Sequence, residues 1–403
     1  MISNPWKGLK GLPGGMWVVA FAILINRMGT MVIPFLAIYL TTRIGLKPGT
    51  AGSVITFYGL GALVTAPFVG RLSDRIGALR LMKVSLLLSG LMLFIYPLFT
   101  NYYSILAVTF VWAAIGEAFR PASLSLTSAL VVPEKRKTAF SLMRQMINLG
   151  MSIGPVIAGF LIQYNYHLIF YIDGLTSIAA CLFLVFIPVR LHKTSEASVQ
   201  HERVNPLKDR TFTYFLISIL PAMMVIFQFF GAMPLALSSD LGFSTSTIGI
   251  LLAINTVMII FLEIPLSSAT SAWKHKTALC VGAFLLASGF GAMAFAGGVF
   301  TIALTIIIWT FGEMILFPAS NAFVSEIAPE MRRGEYMGFY QMVFSLAWAF
   351  GPWMGTKIFE LYGSTVLWLF TFVLGSVSAV MVLFIREIRK QDRDTDITEV
   401  PVL

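Results

Sequence analysis

Glu117 and Arg120 lie three residues apart in an apolar stretch, Glu313 stands alone in another, Arg27 follows Asn26 in a third, and Arg144 occupies a fourth. Ionisable groups inside hydrocarbon are costly, so each is a functional hypothesis by default. A carboxyl taken out of water holds its proton more tightly, and a guanidinium beside it has the opposite effect. A carboxyl whose arginine distance or water access changes therefore loads and unloads a proton. Glu117 and Glu313 are the candidate proton carriers, and Glu313 has no basic residue nearby in sequence. The Glu117–Arg120 spacing predicts one helix face and pairing reach, which also permits a static pair that only fixes packing. Arg27, Arg120 and Arg144, with Asn26 beside the first, are candidates to hold an anionic group of a substrate, bidentately where geometry allows. Asp173 and Glu263 fall near predicted helix ends and are expected to face headgroups or loops.

Other chemistries find little support. There is no G-x-x-x-x-G-K-[ST] loop to cradle phosphates, so ATP is not expected as a direct energy source. The histidines at 167, 192, 201 and 275 lack metal-ligand spacing, and no metal, cofactor or enzymatic activity is expected. Cys181 and Cys280 both sit in apolar runs, and no disulfide framework follows. The net charge of +9 is spread over short loops rather than gathered in a basic domain, which speaks against nucleic acid.

The elements that must position these residues are membrane helices. Hydrophobic residues make up 57% of the 403 and charged residues only 12%, where soluble domains carry roughly 25% charged. Crossing the hydrocarbon takes roughly 20 apolar residues. Twelve such segments are predicted, at 16–42, 50–69, 81–99, 103–131, 138–163, 168–189, 211–237, 246–268, 277–297, 299–327, 335–361 and 365–386. The first is too long for a signal-peptide core and reads as a helix of the mature chain. The fold class is all-α membrane protein, with six-helix bundles over 1–189 and 211–386, a polar linker over 190–210 and a tail over 387–403. Most lysines and arginines fall in alternate loops that share a side with the N-terminus, while Arg43, Lys47 and Lys357 fall on the other. By the positive-inside rule both termini are cytoplasmic.

An internal repeat supports the division. "WAAIGEAFRPASL" (112–124) aligns with "WTFGEMILFPASN" (309–321). A basic turn follows each ("PEKRK", 133–137; "PEMRR", 329–333), then a Gly-Pro pair (Gly154-Pro155; Gly351-Pro352), at an offset of 196 to 197 residues throughout. Two parallel halves with a substrate site between them near the bilayer midplane is the transporter solution to such a pattern.

The loop after the second span reads "GRLSDRIGALR", and its Gly70, Asp74, Arg75, Gly77 and Arg80 resemble the signature of the major facilitator superfamily. In the fifth span, "GMSIGPVIAGF" (150–160), with Gly150, Gly154, Pro155 and Gly159, is similar to the Gly-x-x-x-Gly-Pro motif of that family's twelve-helix proton-coupled drug exporters. The chain departs from the fuller motif at Ser141 and Ala158, where glycines are expected. The resemblance implies that Asp74, Arg75 and Arg80 tie the halves together in the outward-open state and that the Gly-Pro motif restricts leak. The positive-inside rule alone would explain the arginines but not Asp74 or the paired glycines. The second half, "SSATSAWKHK" (267–276), has no Asp-Arg pair.

The expectation is a secondary active transporter of a bacterial inner membrane, monomeric, exporting amphiphilic or drug-like molecules in exchange for protons. Phe227, Phe230, Trp309 and Trp348 are candidate linings of its cavity. The alternative is a dedicated proton-coupled carrier of one metabolite, such as a siderophore or organic acid. The three intramembrane arginines favour an anionic cargo more than a generic cationic drug.

Overall fold

The computed structural model describes residues 11–132, 135–187, 206–329 and 332–385, with the side chains of residues 66, 67, 70, 71, 74, 137, 333 and 334 excepted. All regular structure in it is helix. The first span is two helices, α1 (Gly14–Met28) and α2 (Val32–Thr42), and α3 (Pro48–Ile76) and α4 (Ala78–Ile95) are the second and third. The fourth is again broken, into α5 (Tyr102–Gly116) and α6 (Phe119–Leu130), followed by α7 (Arg136–Tyr164) and α8 (His167–Phe186). The second half opens with α9 (Arg210–Ile226), a short 3-10 turn over Phe227–Phe230 and α10 (Ala232–Ser239), which together make the seventh span. Then come α11 (Thr245–Ala269), α12 (His275–Ala292) and α13 (Val299–Ile327). The last element, α14 (Arg333–Leu383), holds two spans that meet at Gly363, whose φ of 81° interrupts the helix. The twelve predicted spans are all present, their ends within a few residues of the sequence expectation except where α3 runs on to Ile76. Of the linker expected at 190–210, residues 190–205 lie outside the described residues, as does the tail expected at 387–403.

Successive spans alternate in direction, so the molecule has a near end, where Leu12, Ile76 and Ile385 lie, and a far end carrying Lys47, Asn165 and Ser244. The halves meet along two seams, α3 against the first part of α14 and α7 against α11. Glycines make both seams possible, because a spanning interface has no hydrophobic driving force and depends on close packing. A Cβ on Gly59 would lie 2.5 Å from the Ala349 Cα. One on Gly249 would collide with the Pro155 carbonyl oxygen, and one on Gly159 with that of Thr245. Gly52 and Gly249 are repeat mates, and each receives the partner half, Gly52 at Trp353 and Thr356 of α14, Gly249 at Pro155 and Val156 of α7.

Three hydrogen bonds across the halves lie at the far end. Gly49 N donates to Glu360 Oε2 at 2.7 Å, Gln163 Nε2 to Ser246 Oγ at 2.7 Å, and Thr245 Oγ1 to the Gly159 carbonyl at 2.7 Å. There α2 also packs against α10. At the near end Gly77, at φ 88°, turns α3 into α4, a conformation in which glycine is the inexpensive residue.

The Gly249 contact makes a stability prediction. Gly249→Val should cost about 1–3 kcal/mol or more through overpacking and lower the melting midpoint in detergent. Gly297→Val, where a Cβ meets open space, should leave the midpoint unchanged. Equal melting of the two variants would show that the α7–α11 seam does not depend on this contact.

Candidate functional site

Broken spans around a central cavity create the site. The cavity has a volume of about 330 Å³, within the range of small-molecule sites. Its walls come from the first, second, fourth and fifth spans of one half and from the seventh, eighth, tenth and eleventh of the other. Its charged side chains are Arg27, Glu117, Arg120 and Glu313.

Glu117 does not sit mid-helix. It is the C-cap residue of α5, and the chain restarts as α6 at Phe119. The expected Glu117–Arg120 salt bridge is not made, although the backbone stays in the right-handed helical region through Glu117 and Ala118 and the Arg120 amide bonds the Glu117 carbonyl at 3.3 Å. Glu117 accepts a hydrogen bond from Tyr58 Oη at 2.8 Å instead. The Arg120 guanidinium lies over the Phe344 ring, 5.9 Å from its centroid, and Arg27 lies over Phe119 at 5.8 Å. Among the described residues neither arginine makes a salt bridge.

Glu313 accepts from Asn255 Nδ2 at 2.6 Å, and the same amide donates to Thr310 Oγ1 at 3.2 Å. Tyr58 and Asn255 are 197 residues apart and Glu117 and Glu313 are 196 apart, which is the repeat offset. Each half thus grips its cavity carboxyl with a donor from the mate position. The sequence repeat announced the glutamates. It did not announce their partners, because tyrosine and asparagine share no obvious likeness.

Asp173 and Glu263, expected at headgroups or loops, are 7% and 6% exposed and both bind distant elements. Asp173 Oδ2 accepts from the Met31 and Val32 amides at 3.3 Å each. Those are orphan donors at the start of α2, and a backbone break inside a bilayer is tolerated only where such groups are satisfied. Nearby, Asn26 Nδ2 donates to Ser177 Oγ at 3.1 Å. Asn26 therefore pins α1 to α8 and does not line the cavity. Glu263 forms an ion pair with Arg144 across the α7–α11 seam, so Arg144 is also absent from the cavity wall. In both cases the partner lies more than a hundred residues away in sequence.

The Gly-Pro motif of α7 is tied to the same place. A Cβ on Gly150 would meet the Arg27 Cβ at 2.5 Å, and one on Gly154 would meet the Thr30 carbonyl oxygen at 3.0 Å. The motif lets α7 touch the broken first span and so sets the depth of Arg27. In the signature loop Arg75, Gly77 and Arg80 are exposed at the near end, Gly70 lies in the last turns of α3, and the Asp74 side chain lies outside what the structure describes. Phe227, Phe230, Trp309 and Trp348 all line the cavity. The Phe230 and Trp348 rings are 4.6 Å apart, Phe227 and Trp348 4.8 Å. Among the described residues no cluster of His, Cys, Asp and Glu could hold a metal ion.

The model of the Major Facilitator Superfamily matches residues 19–236 and 215–402. An uncharacterized MFS-type transporter of Bacillus subtilis, YqjV, is 25% identical over 374 residues, covering 89% of each chain. The multidrug resistance protein MdtH of Photorhabdus laumondii is 22% identical, covering 86% of this chain and 87% of its own. The crystal structure of the nucleoside transporter NupG superposes with a TM-score of 0.79 at 15% identity, covering 94% of this chain and 100% of that one. That likeness speaks for the fold alone.

Two outcomes test the buried acids. Asp173→Ala strips both α2 amides of their acceptor and should cost about 1–3 kcal/mol, read as a lower melting midpoint. Asp173→Asn keeps an acceptor oxygen and should lose less, and equal losses would remove the capping account. For the seam pair, Arg144→Glu and Glu263→Arg should each lower stability or folded yield by placing like charges together. The double exchange should recover most of the loss, and failure to recover would show that no pair energy links the two.

Proposed function

The chain belongs to the Major Facilitator Superfamily, a family of secondary transporters and not of enzymes, and from that premise we propose that it exports amphiphilic small molecules by alternating access in exchange for protons. The observation that carries the reading is the pair of cavity carboxyls at mate positions, each held by one donor, facing an aromatic wall between two halves that meet along glycine-lined seams. Transport needs a binding site reachable from either side, and a cavity between two rigid bundles supplies one if the bundles rock. Similarity to multidrug resistance proteins supports an amphiphilic cargo.

Glu313 is the exchange group in this proposal. It is gripped by a neutral amide and has no arginine beside it on its own wall. It holds either a proton or the basic group of a cargo, and not both, which is the requirement for antiport. Glu117 shares its wall with Arg27 and Arg120 and serves to balance and orient them. With both termini cytoplasmic, as the lysine and arginine bias implies, the far end faces outward. The bonds that close it then describe the inward-facing state. In the outward-facing state the Gly70, Asp74, Arg75, Gly77 and Arg80 loop closes the near end as a charge-assisted latch, and the far-end bonds of Gly49 and Gln163 open.

A carrier for one anionic metabolite is the second reading, and the two cavity arginines, which make no salt bridge among the described residues, favour it.

Purified protein in liposomes with an acidic interior and an entrapped pH-sensitive dye separates the two. Addition of cationic lipophiles should dissipate the gradient, and Glu313→Gln should slow this by about a hundredfold, within the range for loss of a positioned proton-transfer group. Dissipation by organic acids alone would install the anion carrier, and an unchanged rate in Glu313→Gln would remove Glu313 as the exchange group.

A further inference from the structure

The charges of the cavity are unequally divided between its walls. The first half contributes Arg27, Arg120 and Glu117, a formal balance of one positive charge, and the second contributes Glu313 alone, one negative charge. The nearest sequence mates of the arginines are apolar: Met224 for Arg27, and Leu316 or Phe317 for Arg120. The repeat therefore preserves the carboxyls but confines the cations to one side.

The two carboxyls each accept one hydrogen bond from the protein, where an ionised carboxylate offers about four acceptor positions. They can still receive a donor from the guest. The same cavity carries a ring wall of Phe227, Phe230 and Trp348, which suits an aromatic group by offset or edge contact.

We propose that the cargo is an aromatic zwitterion, its anionic group toward Arg27 and Arg120, its ring system against the second half's aromatic wall and its basic group on Glu313. A purely cationic molecule would leave the net positive charge of the first wall uncompensated. A purely anionic one would face Glu313 with nothing to offset it, and like-charge juxtaposition is an effective means of rejecting a wrong guest. The inference rests on the exporter reading for the role of the cavity, and it adds the charge type of the guest and its orientation. It also gives the antiport a specific competition: a proton on Glu313 removes the partner of the cargo's ammonium.

The test uses one ring system in three charge states: Nα-dansyl-lysine, which is zwitterionic, its methyl ester, which is cationic, and its Nε-acetyl derivative, which is anionic. Binding to the intact purified protein is read from dansyl fluorescence. Dansyl-lysine should bind at least about tenfold more tightly than either derivative, a gap of roughly 1.4 kcal/mol. Arg120→Gln should erase most of the preference over the ester, whereas Arg120→Lys retains part of it. Glu313→Gln should erase the preference over the acetyl derivative. An ester or acetyl derivative that binds as well as dansyl-lysine overturns the proposal, as does absence of saturable dansyl-lysine binding. These comparisons among ligands are made on the unaltered protein and do not depend on any variant folding. The proton-flux assay fails independently. Charge-selective binding without proton movement would sink the exporter reading and leave this one standing, and proton exchange without charge preference would do the reverse.

Discussion

A helix that breaks inside hydrocarbon must find partners for the backbone groups it frees, and the architecture of the cavity follows from how that need is met. The first span breaks between Met28 and Val32. An aspartate on α8 reaches the exposed amides there, placing a negative group where the start of a helix presents its positive end. The seventh span breaks at the equivalent depth and solves the problem with its own glutamine. Gln228 Nε2 donates to the Met224 carbonyl at 2.9 Å and to that of Gly351 at 2.8 Å, tying the break to α14. Related halves have thus reached one geometry with different chemistry. In each, the interruption brings side chains into the middle of the membrane: Arg27 just before the first break, Phe227, Phe229 and Phe230 within the second.

Close approach of the neighbouring helices fixes where those side chains end. Gly150 and Gly154 bring α7 against the backbone from Arg27 to Thr30, so a cation that would favour an aqueous surface is held at the cavity wall. Gly355 does the corresponding service for Gln228, whose amide fills the space that a Cβ there would take. Small residues in a membrane protein are commonly read as allowing helices to associate. Here they also position the polar groups, because the contacts they permit are with the broken segments rather than with regular helix. The cavity is what remains between two bundles that touch closely at their seams and carry large rings between them.

The spans were legible in the sequence because the bilayer dictates their length and composition, and the repeat was legible because tryptophan, glutamate, proline and glycine recur in order. The interior wiring was not. Asp173 and Glu263 stand near the ends of apolar runs, where an acid ordinarily meets headgroups, and neither the α2 amides nor Arg144 is close to them in sequence. The Glu117–Arg120 spacing pointed to a pair, and nothing in the sequence around it signals that Tyr58, from another span, donates to the carboxylate instead. Arg144, counted with the substrate residues, is consumed by Glu263. The count of intramembrane arginines therefore overstated the positive charge of the cavity. Two face the cavity, and one serves the seam.

In the proposed rocking of the halves, the contacts that persist are those that stay within a wall. The Tyr58–Glu117 and Asn255–Glu313 bonds each join two helices of one half, so rigid rotation of the bundles leaves them intact. Arg120 over Phe344 joins the two halves, as does Tyr58 against Trp348 at 6.3 Å. These are held by cation–π and ring contacts worth about 1 kcal/mol each, weak enough to exchange without a large barrier. Glu117 offsets one of the two arginines of its wall whether or not it touches Arg120, so the first wall keeps one formal positive charge opposite the Glu313 of the second.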